Sequence, residues 1–276
     1  MRLLVTSAAD SNGHGYGKLL AFDLSGRPLG TFSDDSRVAD PRGLAVNRDE
    51  GVLFLNSGTN RVLALDASGR VVRDTGPIEG LNPGGANFGP DGRYYVGLRT
   101  ARTIMAFSAG LDAPGEYVLP AGIVPFPRGF AFGRYRRLFL ASGISPNGEG
   151  DDTIVVFSAN RAIQPFRLVT DPQLSPLDLA IAPNGNIVVS SEHPFGSSDA
   201  VTTIREYDAL GHLVRVFSPA GSVEFRKPRG LRFAPDGRLC CVAQDEVVAF
   251  DFASGECLGA MVRLPRLNGQ ALVFFP

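Results

Sequence analysis

The sequence has no tryptophan, three histidines and three cysteines in 276 residues. Cys240 and Cys241 are adjacent and Cys257 stands apart, an odd set that suits neither a disulfide framework nor a zinc site and that fits a reducing compartment. Long apolar runs are missing too. Met1-Arg2-Leu3-Leu4-Val5 gives way to polar residues at Thr6, too short for a signal segment or a membrane span, so a cytoplasmic protein is expected. Charge of one sign is also absent. The 27 basic and 28 acidic residues leave a net charge of -1, which excludes a global field for nucleic acid or anionic membrane. No Gly-x-x-x-x-Gly-Lys, Gly-x-Ser-x-Gly or His-Glu-x-x-His occurs, which removes the phosphate loop, the nucleophile elbow and the helical zinc motif.

What is abundant is turn chemistry: 33 glycines and 20 prolines, below the level of low complexity but enough for many hairpins. They punctuate a repeat. Gly43-Leu44-Ala45-Val46 recurs as Gly85-Ala86-Asn87-Phe88, Gly129-Phe130-Ala131-Phe132, Asp178-Leu179-Ala180-Ile181, Gly230-Leu231-Arg232-Phe233 and Ala271-Leu272-Val273-Phe274. Continued through the chain ends, the mean period is 46 residues. Each unit then gives a hairpin turn, as at Pro90-Asp91-Gly92, Pro183-Asn184-Gly185 and Pro235-Asp236-Gly237. A continuous apolar second strand follows, as at Leu53 to Ser57, then an alternating third strand such as Val62 to Asp66, and a shorter, more polar fourth. Four antiparallel strands in each of six units, without an amphipathic helix, predict an all-β six-bladed β-propeller spanning 1–276 as one domain. A pair of β-sandwiches would not produce one unbroken period. The C-terminal unit stops after a first strand while the N-terminus begins with a second. Blade 1 is therefore shared between 1–35 and 268–276.

Blade 2, with Pro41-Arg42-Gly43-Leu44-Ala45-Val46, Asn60-Arg61-Val62 and Asp66-Ala67-Ser68-Gly69, resembles an NHL repeat, and weaker copies cover essentially the whole chain. The resemblance implies the propeller architecture and little about function, since the NHL group includes RNA-binding, protein-binding and sensor modules beside a metal-linked amidating lyase. Without tryptophan the WD-type repeat is set aside. The ring also resembles the regucalcin and gluconolactonase group, whose members hydrolyse sugar lactones with a divalent metal in the channel. The four metal-ligand positions of that group align with Gln270, Gly84, Arg128 and Leu177, with Asn82, Asn87 and Asp178 only nearby. A hard cation needs several oxygen ligands, so no metal and no cofactor are expected.

Function is expected on the face that carries the loops entering first strands and those joining second to third strands. Three of the latter are long: Ala8 to Gly17, Gly143 to Asp152 and Glu192 to Thr202. Arg42, Arg128 and Arg229 occupy one repeat position in alternate blades, a pseudo-threefold ring at the channel mouth suited to carboxylate or phosphate, with Arg99 and Arg102 nearby. The structural reading is that these arginines bond loop carbonyls or pair with acids, Asp40 and Glu224 being candidates. Gln270, His14 and His193 share the face, whereas His212 belongs to an opposite turn. A loop histidine is more often a solvated side chain than a general base. Glu149, Asp151 and Asp152 lack calcium-loop spacing and read as a solvated acidic loop. The expected function is thus a monomeric binding module for a small anionic molecule or an acidic peptide. A metal-independent hydrolase or lyase on the same face is the rival. Single-stranded RNA is the third reading, set back by the neutral charge and the lack of interleaved aromatics.

Overall fold

Apolar runs become strands where glycine closes the turn between them: Gly92, Gly185 and Gly237 take φ of 76°, 91° and 88°, a region closed to most side chains. The computed structural model describes residues 1–10, 13–122, 124, 126–144, 150–158 and 165–276. These form six four-stranded antiparallel sheets. From the channel outward, blade 2 is Leu44–Asn47, Val52–Ser57, Arg61–Leu65 and Val71–Asp74, and blade 3 is Pro83–Phe88, Tyr94–Leu98, Thr103–Phe107 and Glu116–Tyr117. Blade 4 is Pro127–Phe132, Arg137–Ile144, Gly150–Ser158 and Phe166–Val169. Blade 5 is Pro176–Ile181, Ile187–His193, Val201–Tyr207 and Leu213–Phe217. Blade 6 is Pro228–Phe233, Leu239–Ala243, Glu246–Phe250 and Cys257–Arg263.

Blade 1 takes Gly269–Phe275 as its inner strand and Arg2–Ser7, Lys18–Phe22 and Pro28–Thr31 as the rest, paired from Arg2 with Phe275 to Thr6 with Ala271. The sharing of this blade by the two ends is as the repeat count implies. The single helical element among the described residues is a 3-10 turn at Arg134–Arg136. Among the described residues no helix is long and apolar enough to cross a membrane.

The inner strands lie close around the channel, and glycine at one repeat position makes that approach possible. A Cβ on Gly85 would stand 2.6 Å from the carbonyl oxygen of Arg128, and one on Gly129 would collide with the Asp178 carboxylate. Farther out, aromatic rings join the blades. Phe54 of blade 2 meets Phe88 at 4.9 Å and Tyr94 of blade 3 at 5.1 Å, and Tyr95 meets Phe132 of blade 4 at 4.9 Å. Phe54, Tyr94 and Tyr95 are fully buried, each worth about 1.5–3 kcal/mol of apolar burial. The three cysteines are free thiols. Cys240 and Cys241 point to opposite faces of their strand into two different core clusters, and burial raises the Cys240 thiol to about 12.

Two loops differ from expectation. The second strand of blade 5 continues through Glu192 and His193, which pair with Thr202 and Val201, so both belong to a sheet and the connection shortens to 194–200. In blade 4 the strand likewise runs on to Ile144. Its loop, with Glu149 and the side chain of Asp151, lies outside the described residues.

Candidate functional site

In blades 3 to 6 the pairing of inner and second strands slips close to the loop face, between Pro83 and Ala86, Pro127 and Phe130, Pro176 and Asp178, and Pro228 and Leu231. A bulge of this kind redirects side chains. Arg128 and Arg229 sit in the slipped stretches. Arg42 precedes its strand at the same repeat position, held by its N–H on the carbonyl of Asn56 at 2.9 Å. All three line a cavity of about 260 Å³ at the channel mouth, together with Arg99, Arg232, Phe126, Phe195 and Gln270.

The five arginines are not equivalent. Arg42 donates from Nη2 to Asp40 Oδ2 at 2.9 Å, the partner anticipated from sequence. Arg128 is buried and donates to the carbonyls of Pro176 (2.9 Å) and Ile144 (2.8 Å), in space that the absent side chain of Gly143 leaves free. Arg229 faces Glu192 rather than Glu224: its Nη2 lies 3.9 Å from Oε2, too far for a hydrogen bond, and that oxygen is buried without a partner. Glu192 is placed there by the extension of its strand, where it pairs with Thr202 and is buried. Arg232 donates to Asp178 Oδ2 at 2.9 Å and to its own neighbour's carbonyl, that of Leu231, at 2.6 Å. Arg99 is held by its backbone N–H on the carbonyl of Asn82 at 3.3 Å, but its guanidinium has neither a hydrogen bond nor an ion pair among the described residues.

Burial and crowding press on these charges. Burial first, then the positive charges of Arg42 and Arg229, bring the Arg99 pKa down to about 10. Burial and then Arg229 bring Arg128 to about 9. Both remain cationic at neutral pH. Burial also raises the carboxyl of Asp178 against the pull of Arg232, and that of Asp152, whose Oδ1 accepts from Ser175 at 3.0 Å.

Sequence reasoning missed Asp178, Arg232 and Phe195 as members of the site. Asp178 stands where four other repeats have glycine, and Arg232 stands where the others have Ala, Asn or Val; the two departures pair with each other across blades. That double exception was the available signal. Phe195 had none, because only the folded loop of blade 5 brings its ring to 4.0 Å from the Arg128 guanidinium and 5.4 Å from that of Arg229.

Other expected residues are dispersed. Gln270 lines the cavity, but its Nε2 turns back to the carbonyl of Asn268 at 2.9 Å. His14 is half-exposed on its loop, 3.4 Å from Asp10, and does not line the cavity. His193 ends a strand, and its buried Nδ1 makes no hydrogen bond; it does not line the cavity either. Arg102 is exposed outside it. The four lactonase positions, Gln270, Gly84, Arg128 and Leu177, all do line it. Their chemistry does not fit a divalent cation. A guanidinium occupies one position, and the lining carboxylate, Asp178, is committed to Arg232 and to the N–H of Leu231 at 2.9 Å.

No family model matches the chain, and no curated protein sequence matches it. Solved structures do. A chain of a nidogen–laminin complex has a TM-score of 0.76 at 12% identity, covering 98% of this chain and 97% of that one. A gluconolactonase from Xanthomonas campestris has a TM-score of 0.65 at 17% identity, over 85% of this chain and 79% of that one. A catalytically inactive virginiamycin B lyase from Staphylococcus aureus, solved with quinupristin, has a TM-score of 0.60 at 16% identity, over 84% and 73%. What this chain shares with all three is the propeller fold, which in that company serves both binding proteins and enzymes.

Proposed function

We propose that the protein is a binding module that takes a small anionic molecule at the channel mouth, with Arg99 as its principal anchor. The observation that carries this reading is a guanidinium with five N–H donors, lining a cavity and lacking any hydrogen bond or ion pair among the described residues. The surrounding arginines repel it, and a bound anion relieves that repulsion. A cavity of about 260 Å³ suits a small molecule better than a peptide segment. The rival hydrolase or lyase reading has less support among the described residues, since His14 and His193 do not line the cavity and Asp178 is engaged.

Thermal shift and calorimetry with small carboxylates and phosphate provide the test. The expected result is stabilisation of the wild type by at least one of them, and a loss of about 1.5–3 kcal/mol of binding in Arg99→Ala, the scale of a charged hydrogen bond. No response to any anion in the wild type overturns the reading.

A further inference from the structure

The charges around the cavity can be counted by their partners. Five guanidinium groups line it. Among the described residues four carboxylates act on them: Asp40 chiefly on Arg42 and more distantly on Arg99, Asp178 on Arg232, Glu192 on Arg229, and Asp152 on Arg128. Among these residues one positive charge remains, and it falls on Arg99, the guanidinium without a hydrogen bond or ion pair of its own. A doubly charged ligand would overshoot this balance and leave an excess negative charge in a cavity whose other carboxylates are already set against arginines.

The rest of the lining is apolar as much as polar. Phe126 and Phe195 both line the cavity, beside Gly84, Gly85, Ala86 and Ala271. Phe195 reaches in from the 194–200 connection of blade 5 and covers Arg128 and Arg229 on its way. An all-polar anion would leave these rings against nothing but water.

We propose, building on the anion reading above, that the ligand class is a monocarboxylate with a flat apolar body: its carboxylate takes the planar fork of Arg99, and its body lies against Phe126 and Phe195. The planar fork matches a carboxylate with two parallel N–H···O bonds. The ring contacts then separate this class from inorganic anions and from short diacids.

Calorimetry at pH 7.5 with benzoate, phenylacetate, acetate, succinate and inorganic phosphate tests it on the wild type, Arg99→Ala and Phe195→Leu. The expected order places benzoate or phenylacetate about tenfold or more tighter than acetate, succinate and phosphate. Phe195→Leu should weaken the aryl carboxylates severalfold while leaving acetate unchanged, and Arg99→Ala should weaken all the carboxylates. Succinate or phosphate binding tightest overturns this inference and leaves the anion reading standing. Equal affinity for acetate and benzoate also overturns it. Binding of none of the five overturns both.

Discussion

The two ends of the ring handle charge in opposite ways. At the turn face aspartates of several blades are satisfied within their own turns. Asp66 accepts from the N–H groups of Ser68 (2.9 Å) and Arg70 (3.1 Å) and from the Arg70 guanidinium, and Asp23 repeats the pattern with Ser25 and Arg27. Asp91 with Arg93 and Asp236 with Arg238 do the same in the first hairpins. The Ser68 hydroxyl, which donates to Asp66 Oδ1 at 2.6 Å, together with these bonds holds the Asp66 carboxyl down at about 2. At the loop face Asp40 still meets Arg42 locally, but Asp178 with Arg232 and Glu192 with Arg229 pair across blades, and burial raises the carboxyl of Asp178 instead of lowering it. A charge balanced locally can be copied with the repeat and leaves nothing over. One balanced across blades is a sum over several repeats, and here the sum leaves Arg99 uncompensated.

The largest expected effect comes from breaking what both faces share. Deleting 272–276 removes most of the inner strand of blade 1 and leaves an unpaired edge. Soluble, cooperatively unfolding protein should be lost, as measured by circular dichroism and calorimetry. A truncated protein with the wild-type melting temperature would place the closure elsewhere. Next is Asp178→Ala, which strands the Arg232 guanidinium and the buried N–H of Leu231 together. About 3 kcal/mol of stability should go, read from a denaturant titration.

Arg128→Ala and Arg99→Ala then divide the loop face itself. Arg128 ties the carbonyls of two blades, so its loss should lower the melting temperature by a few degrees, corresponding to roughly 1–3 kcal/mol. Arg99 ties nothing, so its loss should leave the melting temperature unchanged or raise it. A stable Arg128→Ala beside an unstable Arg99→Ala would invert the assignment. The smallest effect belongs to the turn face. Asp66, at about 2 when folded against 3.8 otherwise, contributes stability above pH 3.8 that is lost as the pH falls through 2. Asp66→Asn should therefore lower the plateau of a stability–pH curve slightly at neutral pH, flatten its acid limb, and converge on the wild type below about pH 2.

The same contrast explains what could be read in advance. Second strands such as Tyr94–Leu98 and Leu239–Ala243 coincide with the apolar runs, because burial on both faces writes them plainly. Inner strands start earlier than expected, at Pro83, Pro127, Pro176 and Pro228, because a bulge lets proline begin a strand whose pairing the sequence pattern does not display. Arg42, Arg128 and Arg229 were legible as a repeat position, yet their partners were only half so. Asp40 lies two residues from Arg42 and was visible; Glu192 lies 37 residues from Arg229 and became a partner through strand extension alone. Phe195 sits in the connection between strands, where no periodicity operates.

The pairing of Arg2–Ser7 with Gly269–Phe275 also sets an order in time. A ribosome releases the first of these strands some 260 residues before its neighbour on the channel side, and until then one side of that strand has no partner. Blades 2 to 6 can each form from contiguous sequence as they emerge. The ring is completed only by its last strand, a contact of very long sequence separation and correspondingly slow to form. Closure by one late segment makes the final folding event a single step. Its reversal requires Gly269–Phe275 to leave two core clusters at once, so opening the ring at this seam exposes apolar surface of blades on both sides.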